Sequence, residues 1–255
     1  MILLEPPRTA WDLKLALLRI PVRIHPLFWV GALILSYSRS DPFGLVLAKV
    51  GCVLLSLLVH EFGHALCGRC YGDRQNHVVL YFCYGVCVSE RDTQRHWPRI
   101  HELLWGPGAG FVLAALVFGL RWAAANKYVA LQHPYWDEVL EYTMWVNVIW
   151  GALNLIPVFP LDGGQIMREI LLWKTPRRAE RLAFTASFYI ALIVAVGGVV
   201  LHFTVGGYAL SLAVLFAILA FSNWDLLRQL RAYGGMDGDD EPRQPWEQDP
   251  DWWKK

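Results

Sequence analysis

One stretch of this 255-residue chain carries the residue types of hydrolytic metal chemistry at a fixed spacing: His60-Glu61-Phe62-Gly63-His64. Residues i and i+4 of a helix share a face, so the two imidazoles can hold one Zn²⁺ between them. The Glu beside the first His can take a proton from an attacking water. The stretch lies inside a long apolar run, where ionisable side chains are costly and mark function. The bland alternative is a pair of polar core residues bonded to one another.

A catalytic zinc needs a third protein ligand and one open position. Asp162 is the candidate, in Asn154-Leu-Ile-Pro157-Val-Phe-Pro160-Leu161-Asp162-Gly163-Gly164. The prolines loosen the preceding helix so that the chain can turn the Asp inward, and the two glycines permit close backbone approach. The competing role for Asp162 is a plain N-cap for a helix over 163–173.

The elements that must position these residues are membrane spans. Hydrophobic residues make up 55% of the chain and charged ones 18%, with 13 Trp and 10 Tyr to anchor at two interfaces. Apolar runs predict six spans, near 22–38, 44–67, 103–121, 142–158, 182–204 and 208–227, each close to the ~20 residues that cross a bilayer. All but four of the 23 Lys and Arg (Arg39, Lys49, Arg121 and Lys127) then fall on one side. The positive-inside rule makes that side the cytoplasm and puts both termini there. In this layout His60, His64 and Asp162 all lie towards the cytoplasmic ends of their segments, at similar depth. The expected fold is an all-α polytopic membrane protein of about six transmembrane helices, with a small membrane-associated β segment between spans 2 and 3. That segment is HVVLYFCYGVCV (77–88), with Gly85 as a possible bend. Residues 9–20 show apolar residues at helical spacing and suggest a short interfacial helix or an extension of the first span. The expected division is 1–21, an N-terminal cytoplasmic or interfacial segment; 22–230, the six-helix core; and 231–255, a polar, Pro- and acid-rich tail whose composition predicts disorder. A net charge of +1 argues against nucleic acid as a partner, and the N-terminus lacks the features of a cleavable signal peptide.

At these residues the sequence closely resembles the site-2 protease family of intramembrane metalloproteases, peptidase family M50. The first signature reads HEFGH, and the second, Asn-x-x-Pro followed by Leu-Asp-Gly, reads NLIPVFPLDGG. A Gly-Pro segment, GPGAG (106–110), and the entry PVRIHPLFW also match, so the resemblance covers roughly 20–230. It implies one Zn²⁺ per chain bound by His60, His64 and Asp162, with Glu61 as catalytic acid/base and Asn154 near substrate. It also implies an endopeptidase cutting transmembrane or membrane-proximal segments, with a single-span membrane protein or a residual signal peptide as substrate and the lipid bilayer as surroundings. The family's glycine pair in the β segment reads Cys83-Tyr84-Gly85 here. No inserted PDZ or appended CBS domain fits within the chain. A bacterial inner membrane is the expected location.

Other readings stay open on the residues alone. A helical substrate must unwind before attack, and strand addition to 77–88 could hold it extended. Asn154, Gln165 and Ser56 could line a water route. Cys67-x-x-Cys70 with Cys83 and Cys87 could form a second zinc site, or be four reduced thiols. Glu102 reads as interfacial. Two competing functions are a membrane protease of the prenyl-tail type, whose downstream Glu ligand has no counterpart here, and a zinc-binding membrane protein or transporter without hydrolysis. The intact Glu61 speaks against the second, since zinc binding alone does not require it.

Overall fold

A computed structural model describes residues 6–73, 75–82, 84–88, 96–128, 135–204 and 209–233. The tail predicted to be disordered therefore lies almost wholly outside the described residues. The chain forms two compact units, residues 1–176 and 177–255.

The first unit begins with two strands where a helix was expected. β1 (Leu13–Leu17) and β2 (Ile20–Ile24) pair antiparallel, with Leu17 opposite Ile20. Leu13, Leu15 and Leu17 fit a two-residue period as well as a helical one, and the turn decides between them. Leu18 and Arg19 both take positive φ, 51° and 61°, as the two-residue hairpin turn that matches strand twist requires. Neither is glycine, so the turn needs outside support. Arg69, at the end of the helix that carries the His pair, donates to the carbonyls of Leu18 (2.8 Å) and Arg19 (2.5 Å). Arg23 in β2 is buried and bonds Asp12 at 3.0 Å. Burial alone would push the Asp12 carboxyl up, but hydrogen bonds from Thr9 and Arg23 hold it down at about 2.

α1 (Pro26–Ser36) follows, capped by His25, whose Nδ1 accepts from the Leu27 N–H. α2 (Phe43–Cys70) carries the His-Glu-x-x-His stretch. Then come β3 (His77–Tyr81) and β4 (Tyr84–Val88), α3 (His96–Ala125), α4 (Trp136–Asn154) and α5 (Asp162–Lys174). The hairpin predicted over 77–88 is present, but its turn falls at Phe82, with φ 46°. Gly85 is instead mid-strand, opposite Leu80. The sheet is wider than a single β segment, in the order β1-β2-β3-β4 with β2 and β3 parallel. β3 is therefore interior and β4 is an edge. One face of the sheet supplies Ile20, Val22, Ile24, Val78 and Leu80 to the core, where they join Phe28 of α1 and Val53, Leu57 and Phe62 of α2.

Among the described residues, four helices are long and apolar enough to cross a membrane: α2, α3, and two in the second unit, α6 (Ala179–Thr204, with the preceding turn from Pro176) and α7 (Ala209–Tyr233). The other two expected spans fall short for different reasons. α1 has 11 residues, about 16 Å at 1.5 Å each, against ~30 Å of hydrocarbon. α4 has 19 residues but opens on Asp137 and Glu138, with Glu141 a turn later. Those acids have partners. Lys49 of α2 lies 2.6 Å from Asp41 and 3.0 Å from Glu138, and Arg121 of α3 lies 2.8 Å from Asp137 and 3.1 Å from Glu141. Two of the four basic residues on the minority side are thus each held between two carboxylates.

Deeper in the unit, buried Asn147 of α4 donates to Ser56 Oγ of α2 at 2.8 Å. Asn147→Ala is expected to lower stability by about 0.6–1.7 kcal/mol, as for other side-chain hydrogen bonds between membrane helices. Unfolding of purified protein in mixed detergent measures this, and Ser56→Ala should add little on top because both remove one bond.

Candidate metal centre

The centre is assembled from α2, α3, β4 and the start of α5. His60 and His64 project from one face of α2, one turn apart, with their Nε2 atoms 3.2 Å apart. Asp162 Oδ2 lies 3.2 Å from His60 Nε2 and 3.4 Å from His64 Nε2. A tetrahedral zinc with ligands at about 2.0–2.1 Å holds them about 3.3–3.4 Å from one another, so the three atoms already have the spacing of a zinc ligand set. All three residues are buried, between 4% and 7% exposed, too dry for two imidazole nitrogens and a carboxylate to face each other comfortably without a cation. Among the described residues this is the one group of His, Cys, Asp or Glu with metal-binding geometry.

Each candidate ligand is set by its neighbours. His64 Nδ1 lies 2.7 Å from the Glu102 carbonyl oxygen of α3. A carbonyl only accepts, so Nδ1 carries the proton and Nε2 offers its lone pair inward. Asp162 begins α5, but the N-cap position belongs to Leu161, which makes no side-chain cap bond. The capping role open to Asp162 is not taken, and its carboxylate turns to the histidines. The Pro157–Pro160 segment breaks the helix between α4 and α5, and Phe159–Pro160 is cis.

Glycines make the approach possible. A Cβ on Gly163 would meet the Leu155 carbonyl, one on Gly164 the backbone of Val158 and Phe159, and one on Gly63 the Trp105 carbonyl of α3. A Cβ on Gly106 would fall on the His64 ring, and one on Gly85 on the Glu61 side chain. Glu61 is 4% exposed and accepts a hydrogen bond from the Cys87 N–H of β4. It lies beside His60 in sequence and interacts electrostatically with both histidines and Asp162.

The structure therefore brings together His60, Glu61, His64 and Asp162. Asn154 ends α4, where its amide donates to the Trp150 carbonyl of its own helix at 3.1 Å. Ser56 and Gln165, weighed as lining a water route, both hold hydrogen-bonded positions, Ser56 with Asn147 and Gln165 with the Pro160 carbonyl. Of the cysteines weighed as a second site, Cys83 lies outside the described residues, and Cys67, Cys70 and Cys87 are free thiols. Burial, with Glu61 and Glu102 nearby, pushes the Cys87 thiol up, away from the thiolate a metal binds. Sequence reasoning missed Glu102. It is 8% exposed, and its contribution to His64 is a main-chain carbonyl, which no residue type announces.

Comparisons with known proteins agree with this architecture. The profile of Peptidase family M50 matches residues 123–196. A zinc metalloprotease of Methanocaldococcus jannaschii is 26% identical over 155 residues, 60% of this chain and 43% of that protein. Stage IV sporulation protein FB of Bacillus subtilis is 27% identical over 215 residues, 82% of this chain and 67% of that one. The chain thus spans less than half the length of the first relative. The solved site-2 protease from Methanocaldococcus jannaschii superposes with a TM-score of 0.58 over 86% of this chain and 96% of that chain, at 22% identity, a likeness of fold.

Proposed function

We propose that the chain is a member of peptidase family M50, the family of the site-2 proteases, and an intramembrane zinc metalloendopeptidase holding one Zn²⁺ through His60, His64 and Asp162. The observation that carries the proposal is the ligand spacing: three buried donor atoms 3.2–3.4 Å apart, on a helix that places Glu61 next to the first ligand. Zinc bound there supplies a Lewis acid that polarises a peptide carbonyl and acidifies water. Glu61, held by the Cys87 N–H, takes the proton of the attacking water and returns it to the leaving amine. Burial of the four side chains keeps bulk water from competing for these groups.

The substrate is a single-span membrane protein or residual signal peptide, cut in or beside its membrane segment after local unwinding. The β edge offers a place to hold it extended. β3 is interior to the sheet, so strand addition takes place on β4, whose Gly85 and Cys87 already lie against Glu61. In our reading Asn154, the last residue of α4, contacts the substrate. The protein is multi-pass. In our reading α1 and α4 complete six membrane segments, both termini are cytoplasmic, and the membrane is a bacterial inner membrane.

Zinc analysis of the purified wild type beside Asp162→Ala tests the centre without a known substrate. About one zinc per chain is expected in the wild type and a sharp loss in the variant, since two histidines alone make a weak site. Full retention of zinc in Asp162→Ala would remove Asp162 from the ligand set.

A further inference from the structure

The two halves of the centre come from segments far apart in sequence, and one guanidinium links them outside the ligand set. Arg99 of α3 donates through Nη1 to Glu102 Oε1 at 3.0 Å and through Nη2 to Gln165 Oε1 of α5 at 3.3 Å. On the first branch, the backbone of the same Glu102 receives the His64 Nδ1 hydrogen bond. On the second branch, Gln165 Nε2 donates to the Pro160 carbonyl at 3.0 Å, two residues before Asp162. We propose that Arg99 is a positioning residue of the metal centre, holding the Asp162 segment in register with the His64 helix through Glu102 and Gln165. The proposal rests on reading His60, His64 and Asp162 as zinc ligands.

The chemistry favours arginine at this point. A guanidinium is a flat fork of donors that can serve a carboxylate and an amide oxygen at once, whereas an ammonium is a point charge on a flexible stem. Glu102 is buried and needs a partner for its charge; without Arg99 the cost of that burial falls on the turn that holds His64. Gln165, with its oxygen held by Arg99, has its amide directed at Pro160, which fixes the turn from which Asp162 projects.

A second link between α3 and α5 provides a control. His96 Nδ1 lies 3.0 Å from Glu169 Oε2, one turn further along α5. That pair ties the same two helices together but touches neither Glu102 nor the Pro160 turn. Mere docking of α5 would make the two links equivalent, and positioning of the centre would not.

The experiment measures zinc affinity by competition with a chromophoric chelator, on the full chain purified in detergent. The melting temperature of the zinc-free protein is followed in parallel. Arg99→Met is expected to bind zinc about 10- to 100-fold more weakly, the range seen when a partner outside the ligand set is removed. Gln165→Met should weaken binding in the same direction, the double variant little further, and Arg99→Lys should fall between. His96→Ala should leave zinc affinity at the wild-type value. If Arg99→Met does not fold, Gln165→Met carries the test alone. Wild-type affinity in Arg99→Met and Gln165→Met overturns the proposal while leaving the ligand set intact. So does an equal weakening in His96→Ala, or a loss of affinity matched by an equal loss of zinc-free stability. A wild-type chain that takes up no zinc overturns the ligand reading and this proposal with it.

Discussion

Glu61→Gln is expected to keep its zinc and lose peptide hydrolysis by about 10²- to 10⁴-fold, the usual contribution of a general acid–base group. Glutamine has the same shape, and its side-chain oxygen can still accept from the Cys87 N–H. Gly85 still leaves it room. What it lacks is a basic oxygen for the proton of water. The measurement pairs metal analysis with cleavage of a tagged single-span substrate reconstituted in detergent or vesicles. Cleavage within tenfold of wild type would move the base elsewhere. Loss of zinc together with activity would make Glu61 a structural member of the centre. A zinc-binding membrane protein without hydrolysis would show no cleavage in either form.

Gly106→Ala is expected to weaken zinc binding by at least about tenfold and to lower stability by about 1–3 kcal/mol, the range for overpacking a close-fitted interior. The added methyl falls on the His64 ring, at a place where α3 packs closely on α2, with its Trp105 carbonyl against Gly63. The ring must turn, and turning breaks the bond from Nδ1 to the Glu102 carbonyl that keeps Nε2 aimed at His60 and Asp162. Two comparisons isolate this cause. Gly108 lies in the same helix, and a Cβ there would meet nothing within 4 Å, so Gly108→Ala should be neutral or gain up to about 1 kcal/mol from helix propensity. With His64→Ala already present, Gly106→Ala should cost almost no stability, since the atoms it strikes are gone. An equal cost in both backgrounds would place the strain somewhere other than the ring.

The parts of this protein that follow a local rule were legible in the sequence. HEFGH needs only the helical repeat to bring two imidazoles together, and LDGG announces a tight approach. The apolar runs of α2, α3, α6 and α7 are long enough to speak for themselves. Other parts depend on contacts between segments that no window of sequence contains. The hairpin turn at Leu18 and Arg19 lacks glycine and relies on Arg69, so the preceding leucines read equally well as helix. Glu102 acts through its main chain. Gly85 looks like a turn residue, yet it sits mid-strand because Glu61 needs the space. The α1 and α4 segments read as spans on apolarity, but one is short and the other carries acids whose partners are on α2 and α3.

The strand order has a consequence for how the protein is made. Synthesis delivers β1 and β2 first, then α1 and α2, and only afterwards β3 and β4. The parallel pairing of β2 with β3 therefore closes after the helix bearing His60 and His64 has left the ribosome. Until then the emerging hairpin waits with one edge of β2 unpaired, open to association with other chains. β3 and β4 are in turn made before α3, α4 and α5, so the strand that bonds Glu61 is available before the segment that carries Asp162.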